Sequence, residues 1–143
     1  MKIAVIDGQG GGIGSVIIKK IKEIYDEKIE VWALGTNAIA TSQMLKAGAN
    51  RGATGAAAIC HCAPKVDVII GPISIIISHA MMGEVTPEIA VAIGSSPAHK
   101  LLLPLTQEPI SIVGAVREPL PHLVDKLVNE NLASLISDQG DRM

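Results

Sequence analysis

A short apolar run, a knot of glycines and an amphipathic stretch follow one another within the first 27 residues. That succession constrains the fold more than any other feature of the chain. Residues 2–6 read KIAVI, a run typical of a central strand. Residues 8–14, GQGGGIG, hold five glycines in seven positions. Glycine loses more conformational freedom on folding than any other residue, so such a cluster needs a reason. Then Ile13, Val16, Ile17, Ile21, Ile24 and Tyr25 recur at helical spacing, with Lys19, Lys20, Lys22, Glu23 and Asp26 mostly on the other face. Strand, glycine turn and helix in that order suit phosphate binding. The glycines let backbone come close to a pyrophosphate, and the helix offers unpaired N–H groups and a positive dipole end.

The pattern repeats downstream. IEVWAL (29–34) reads as a strand, and GTNAIATSQMLKAG as a helix with Thr36 or Asn37 as cap and Gly48 as stop. An edge strand near 49–53 comes next, then Thr54 capping a small helix to about Ala63. Reading AAICHC as a strand instead would leave three residues before the strand at 66–71, too few for a parallel crossover. ISIIISHAMM (73–82) is apolar nearly all round and reads as a buried helix, though its β-branched content also permits a strand. TPEIAVAIG (86–94) is a helix with Thr86 as cap and Pro87 at its first position. KLLLPL (100–105) and ISIVGAV (110–116) read as two further strands, residues 119–136 as the closing amphipathic helix, and 137–143 as a polar, frayed tail. Strands alternating with helices predict an α/β fold: one Rossmann-like, three-layer domain over residues 1–143 with a mostly parallel central sheet.

Composition narrows the function. Hydrophobic residues make up 48% of the 143, yet Trp32 and Tyr25 are the whole aromatic complement, so the core is aliphatic, as buried parallel strands require. A net charge of -2 without a basic run, and the scarcity of aromatics for base stacking, argue against nucleic acid as a partner. The greasiest segment, 66–83, carries Asp67 and is broken by Gly71-Pro72, so it reads as strand, turn and helix and not as a membrane span. The N-terminus enters a strand directly and lacks a signal peptide's pattern, and the two cysteines form no disulfide framework; both point to the cytoplasm.

The glycine loop is not a Walker A loop, which needs a lysine that residues 8–15 lack, and the strict G-x-G-x-x-G pattern also fails. What fits is G-x-x-x-G-I-G at Gly8, Gly12, Ile13 and Gly14. This resembles the cofactor loop of short-chain dehydrogenases over about 30 residues. The likeness ends there. No Tyr-x-x-x-Lys pair exists, since Tyr25 is the only tyrosine and residue 29 is Ile. The second strand ends LGTN, without the carboxylate that would hold an NAD ribose or an arginine for an NADP phosphate.

The candidate binding residues are therefore Gly8, Gln9, Gly10, Gly11, Gly12, Ile13, Gly14 and Ser15 of the loop, and Thr36 and Asn37 after the second strand. Gly71 and Pro72, ending the strand at 66–71, complete the set, with Ser74 following. Thr36 and Asn37 serve equally as helix caps. The expected ligand is a small phosphorylated molecule: a nucleotide, or a dinucleotide such as NAD(P), with FAD, coenzyme A and sugar phosphates also open. No catalytic residue is fixed; Asp7, His79 and Glu84 are the candidate reactive side chains, with His79 and Glu84 the one acid–base pair and His79 expected to pack within its helix. Cys60-His61-Cys62 lacks the second ligand pair of a structural zinc site, so no metal is expected.

IDGQGGGIG, ALGTNAIATSQMLKAGA, GATG, VDVIIGPI and GEVTPEIAVAIGSS together resemble a bacterial family of small proteins, domain-of-unknown-function family 3842, over roughly residues 2–117. The resemblance implies a small, cytoplasmic, Rossmann-like protein and carries no catalytic residue onto this chain. Three functions compete: a nucleotide-binding protein, a small oxidoreductase or other enzyme on a nucleotide-like metabolite, and a non-catalytic interaction protein with a vestigial loop. A mean hydropathy of +0.40 and the apolar 72–82 segment lead to the expectation of a symmetric homodimer.

Overall fold

The computed structural model describes residues 1–141. Its strands are β1 (Lys2–Asp7), β2 (Glu30–Gly35), β3 (Arg51–Thr54), β4 (Val68–Pro72) and β5 (His99–Leu103). They form one sheet in the order β3-β2-β1-β4-β5, parallel throughout. The chain winds outward from β1 through β2 to β3, then returns past β1 to lay down β4 and β5. The order therefore reverses between β1 and β4, and ligand crevices open beyond the carboxyl ends of strands at such a point.

Side-chain alternation sorts the core into two layers. Ile3 and Val5 point to one face, where Ile17, Ile18 and Ile21 of α1 (Gly12–Tyr25) and Met44 of α2 (Ala38–Lys46) meet them. Leu123, Val124 and Val128 of the closing helix join that layer. Ala4 and Ile6 point to the other face, against Ile59 of α3 (Ala56–Cys62) and Ile89 and Ile93 of α4 (Pro87–Ser95). Asn37 caps α2 by accepting from Ala40 N–H (2.9 Å), and Thr86 caps α4 by accepting from Ile89 N–H (3.3 Å). The closing helix runs as α5 (Leu120–Lys126), a π-helical stretch (Leu127–Leu132) and α6 (Ala133–Asp141). Among the described residues no helix is long and apolar enough to cross a membrane.

Several expectations need correction. Residues 73–82 are not a helix: a single 3-10 turn (Ile73–Ile76) gives way to turns in which His79, Met81 and Met82 take positive φ. Four isoleucines within 73–77 resist helix formation through their restricted χ1. Ile75 and Ala80 are buried in the chain's own second core layer, while Ile76 and Met82 of the same run are exposed. His79 is exposed in its turn. ISIVGAV forms no strand, and the sheet ends at β5; residues 110–116 are exposed and turn at Gly114 (φ +90). β-propensity expresses packing against neighbours, and this run has no strand beside it. Gly55, not Thr54, precedes α3; Thr54 belongs to β3 and donates to Thr41 Oγ1 (2.7 Å). The expected tail stays helical through Asp141, and residues 142–143 lie outside the described residues.

Candidate functional site

β1 ends in Asp7, a buried carboxylate at the mouth of the glycine loop. Its Oδ1 accepts from Gly8 N–H and its Oδ2 from Gly14 N–H, each at 2.8 Å. One side chain thus ties the two ends of the loop together. It also supplies the acceptor that the N-cap of α1, Gly11, has no side chain to provide. Burial pushes the Asp7 carboxyl above its usual range. The Gly14 and Gly8 hydrogen bonds oppose that shift, and the Glu84 carboxylate adds to it.

The five glycines divide into two groups. A Cβ on Gly8 would strike Thr36, Met81 and Glu84, and one on Gly14 would strike Met44 and Asp7. Gly11 has φ +73, and a Cβ there would lie 2.9 Å from the Ala40 backbone. These three close the loop against the protein. Gly10 and Gly12 differ: neither has positive φ, and a Cβ on either would meet nothing within 4 Å. Among the described residues their N–H groups also have no hydrogen-bond partner, whereas Gly8, Gln9, Gly11 and Gly14 all donate.

Both open glycines border a cleft of about 470 Å³ at the reversal point of the sheet. Gly8 to Ile13 form one bank and Asp7 the floor. Pro72 at the end of β4 and Ser74 after it form the back, Leu105 to Glu108 after β5 the far bank, and Met81 and Leu120 close the sides. Ser74 Oγ donates to Thr106 Oγ1 (2.9 Å), which itself accepts from Glu108 N–H (3.1 Å). Glu108 Oε1 accepts from Met81 N–H (3.3 Å), fastening the far bank to the 77–85 turn. Among the described residues the lining includes the carboxylates of Asp7 and Glu108 and no lysine, arginine or histidine.

Glu84 fastens the near bank. Its Oε1 accepts from Gln9 N–H (2.8 Å), Thr36 Oγ1 (2.7 Å) and Asn37 Nδ2 (2.8 Å). Burial works to raise its pKa, but the three hydrogen bonds together outweigh burial and hold the carboxyl below its usual range. Asn37 also donates to the Gln9 carbonyl (2.9 Å).

The structure therefore brings Gly8, Gln9, Gly10, Gly11, Gly12, Ile13 and Pro72 together around the cleft. Gly14 packs behind the loop, and Ser15 Oγ donates to the Gly11 carbonyl (2.7 Å). Thr36 and Asn37 engage Glu84, and Gly71 lies against the Ile6 carbonyl. Sequence reasoning missed Met81, Leu105, Thr106, Gln107, Glu108 and Leu120. The position of TQEP at the carboxyl end of β5 was the available signal, since crevices form at that end of every strand near the reversal. Cys60, His61 and Cys62 diverge: Cys60 Sγ donates to the Glu88 carbonyl (3.6 Å), His61 pairs with Lys65, and Cys62 packs beside the α3 core.

The sequence matches the family described as Domain of unknown function (DUF3842) over residues 2–136, so the chain belongs to that family. No curated protein matches it. Among solved structures, a dodecameric FMN-dependent Ubix-like decarboxylase from Escherichia coli O157:H7 is similar, at 14% identity over 94% of each chain with a TM-score of 0.47. Likeness at that level transfers neither ligand nor assembly.

Proposed function

We propose that this family member binds a nucleotide, a dinucleotide or a related phosphorylated small molecule in the cleft beneath loop 8–14. The phosphate would meet the N–H groups of Gly10 and Gly12 at the start of α1. One observation carries the reading: these two glycines have no conformational or packing reason to be glycine among the described residues, and both line the cleft. Glycine without an internal cause is accounted for by close approach of something external.

The cleft's charge refines the class. With Asp7 and Glu108 in the lining and no cation, a phosphate monoester dianion is repelled more than a pyrophosphate diester, which carries one charge per phosphate. A further carboxylate stands beside the near bank, bonded to Gln9 N–H and outside the cleft lining. Glu84 Oε2 has no partner among the described residues, and the Oε1 of the same carboxylate is bonded to Thr36 at the end of β2. A second reading, an enzyme acting on the bound molecule, draws on Asp7, whose carboxyl is raised and faces the cleft.

The test is mass spectrometry of the natively purified protein, followed by thermal shift with NAD⁺, FAD, coenzyme A and ADP, on the wild type and on Gly12→Val. The expected result is a stabilising ligand whose effect disappears in Gly12→Val while the ligand-free melting temperature holds. An empty protein with no shift from any of the four would overturn the binding reading.

A further inference from the structure

A second pocket lies on the α3 face of the sheet, among β2, β3 and the end of α3, and shares no lining residue with the cleft. It exists because α3 is short and begins with three alanines, so it leaves part of β2 uncovered. Trp32 is the residue left showing. It is half-buried while the residues on either side of it in β2 are buried. Its indole N–H donates to Glu30 Oε1 (3.0 Å), and Lys2 Nζ stands 5.5 Å from its ring centroid. The ring is therefore fixed in place as one apolar wall, with Leu34, Ala53 and Cys62 beside it.

Besides Lys2 over the ring, three basic side chains line the pocket: Arg51, His61 and Lys65. Arg51 is matched by Glu30, its Nε 3.2 Å from Oε1. Lys65 is not matched. Among the described residues its ammonium has no carboxylate within 4 Å, and its hydrogen bond goes to His61 Nε2 at 2.6 Å. An imidazole nitrogen accepts there only when unprotonated, so His61 is the neutral partner and Lys65 carries the charge. A lysine cation without a carboxylate partner, held beside a neutral imidazole and a fixed aromatic wall, suits a planar apolar body carrying one negative charge.

We infer that this pocket binds a small aromatic or heteroaromatic carboxylate, its ring against Trp32 and its carboxylate on Lys65 and His61. The volume, about 300 Å³, holds a one-ring molecule and lies at the small end of the range for ligand sites. The site is independent of the cleft and of whatever the cleft binds.

Trp32 is the only tryptophan in the chain, so its fluorescence reads this pocket alone. Benzoate, titrated to roughly 10 mM, is expected to change the emission saturably, whereas benzyl alcohol, its neutral analogue, leaves it unchanged over the same range. In Lys65→Met, which keeps the apolar stem and alters an exposed residue, benzoate affinity falls about fivefold or more, while the far-ultraviolet circular dichroism and melting temperature hold. No saturable change with benzoate overturns the inference. So does an equal response to benzyl alcohol, which would mark an apolar depression without charge selection, or an unaltered affinity in Lys65→Met.

Discussion

On the β1 bank of the cleft, residues 8–15 are held by Asp7 from below and by Glu84 and Asn37 from the side. On the β5 bank, residues 104–119 run without regular structure. Their side chains bond through Ser74, Thr106, Glu108 and Lys126, and Ile110, Ile112, Val113 and Val116 are left exposed. One bank is a cradle tied at many points, with the Gly10 and Gly12 N–H groups left unpaired among the described residues; the other is a long connection fastened at a few points. A ligand bound here would meet preset donors on one side and an adaptable surface on the other, the usual division between positioning and adjustment.

The sharpest way to break that contrast is within the cradle itself. Gly11→Ala forces an L side chain into positive φ and against the Ala40 backbone, and should cost about 2–4 kcal/mol. Gly12→Ala fills open space at the first turn of a helix and should be neutral or stabilising by up to about 1 kcal/mol. Denaturant melts of the two variants check this directly. Equal destabilisation would mean that the open glycines are structural after all.

Next in size is the clamp. Glu84→Ala leaves Gln9 N–H, Thr36 Oγ1 and Asn37 Nδ2 without their shared acceptor, at a cost of about 2 kcal/mol. Hydrogen exchange should speed up in residues 8–15 and 77–85 together, leaving 104–119 as it was. Acceleration spread evenly over both banks would show that the near bank has no separate fastening.

How much of this is legible in the sequence depends on how local the cause is. The first strand, the glycine turn and α1 are legible because glycine chemistry and helical spacing act within a few residues. Asn37 and Thr86 are legible as caps for the same reason. Met81, Thr106 and Glu108 are not, because they reach the cleft from segments distant in sequence. ISIVGAV misleads because β-branched residues favour a strand only where another strand waits beside them. The 73–82 run misleads because hydrophobicity on every side is shared by a buried helix and by a turn whose isoleucines enter the core. Glu84 reads in the sequence as an acid–base candidate; its three donors make it a fastener of the loop.

A smaller effect separates the two acids of the near bank by sign. Asp7 has its carboxyl raised in the folded state, so its ionisation opposes folding. Its contribution is fully present below the ordinary aspartate range and is lost as pH rises through the raised value, with a limiting slope of about 1.4 kcal/mol per pH unit. Glu84 runs the other way: held low, it contributes above the ordinary glutamate range, and that contribution is lost as pH falls through its lowered value. Stability measured from pH 3 to 7 should therefore lose its Asp7 component in Asp7→Asn and keep the acid-side loss due to Glu84. An unchanged profile in Asp7→Asn would mean that burial at the cradle floor does not govern this carboxyl.

The smallest effect belongs to the far bank. Val113 is 99% exposed and Val116 72%, so neither side chain buries apolar area that a polar residue would forfeit. Val113→Ser and Val116→Ser should each change stability by no more than about 0.5 kcal/mol. Amides around them, outside any helix or sheet ladder, should exchange with little protection. Melting at two protein concentrations turns this into a test of the whole contrast. A loss well above that figure, deepening on dilution, would mean that a second copy of the chain covers Val113 and Val116 in solution. The far bank would then be as firmly held as the near one, by a neighbour and not by its own hydrogen bonds.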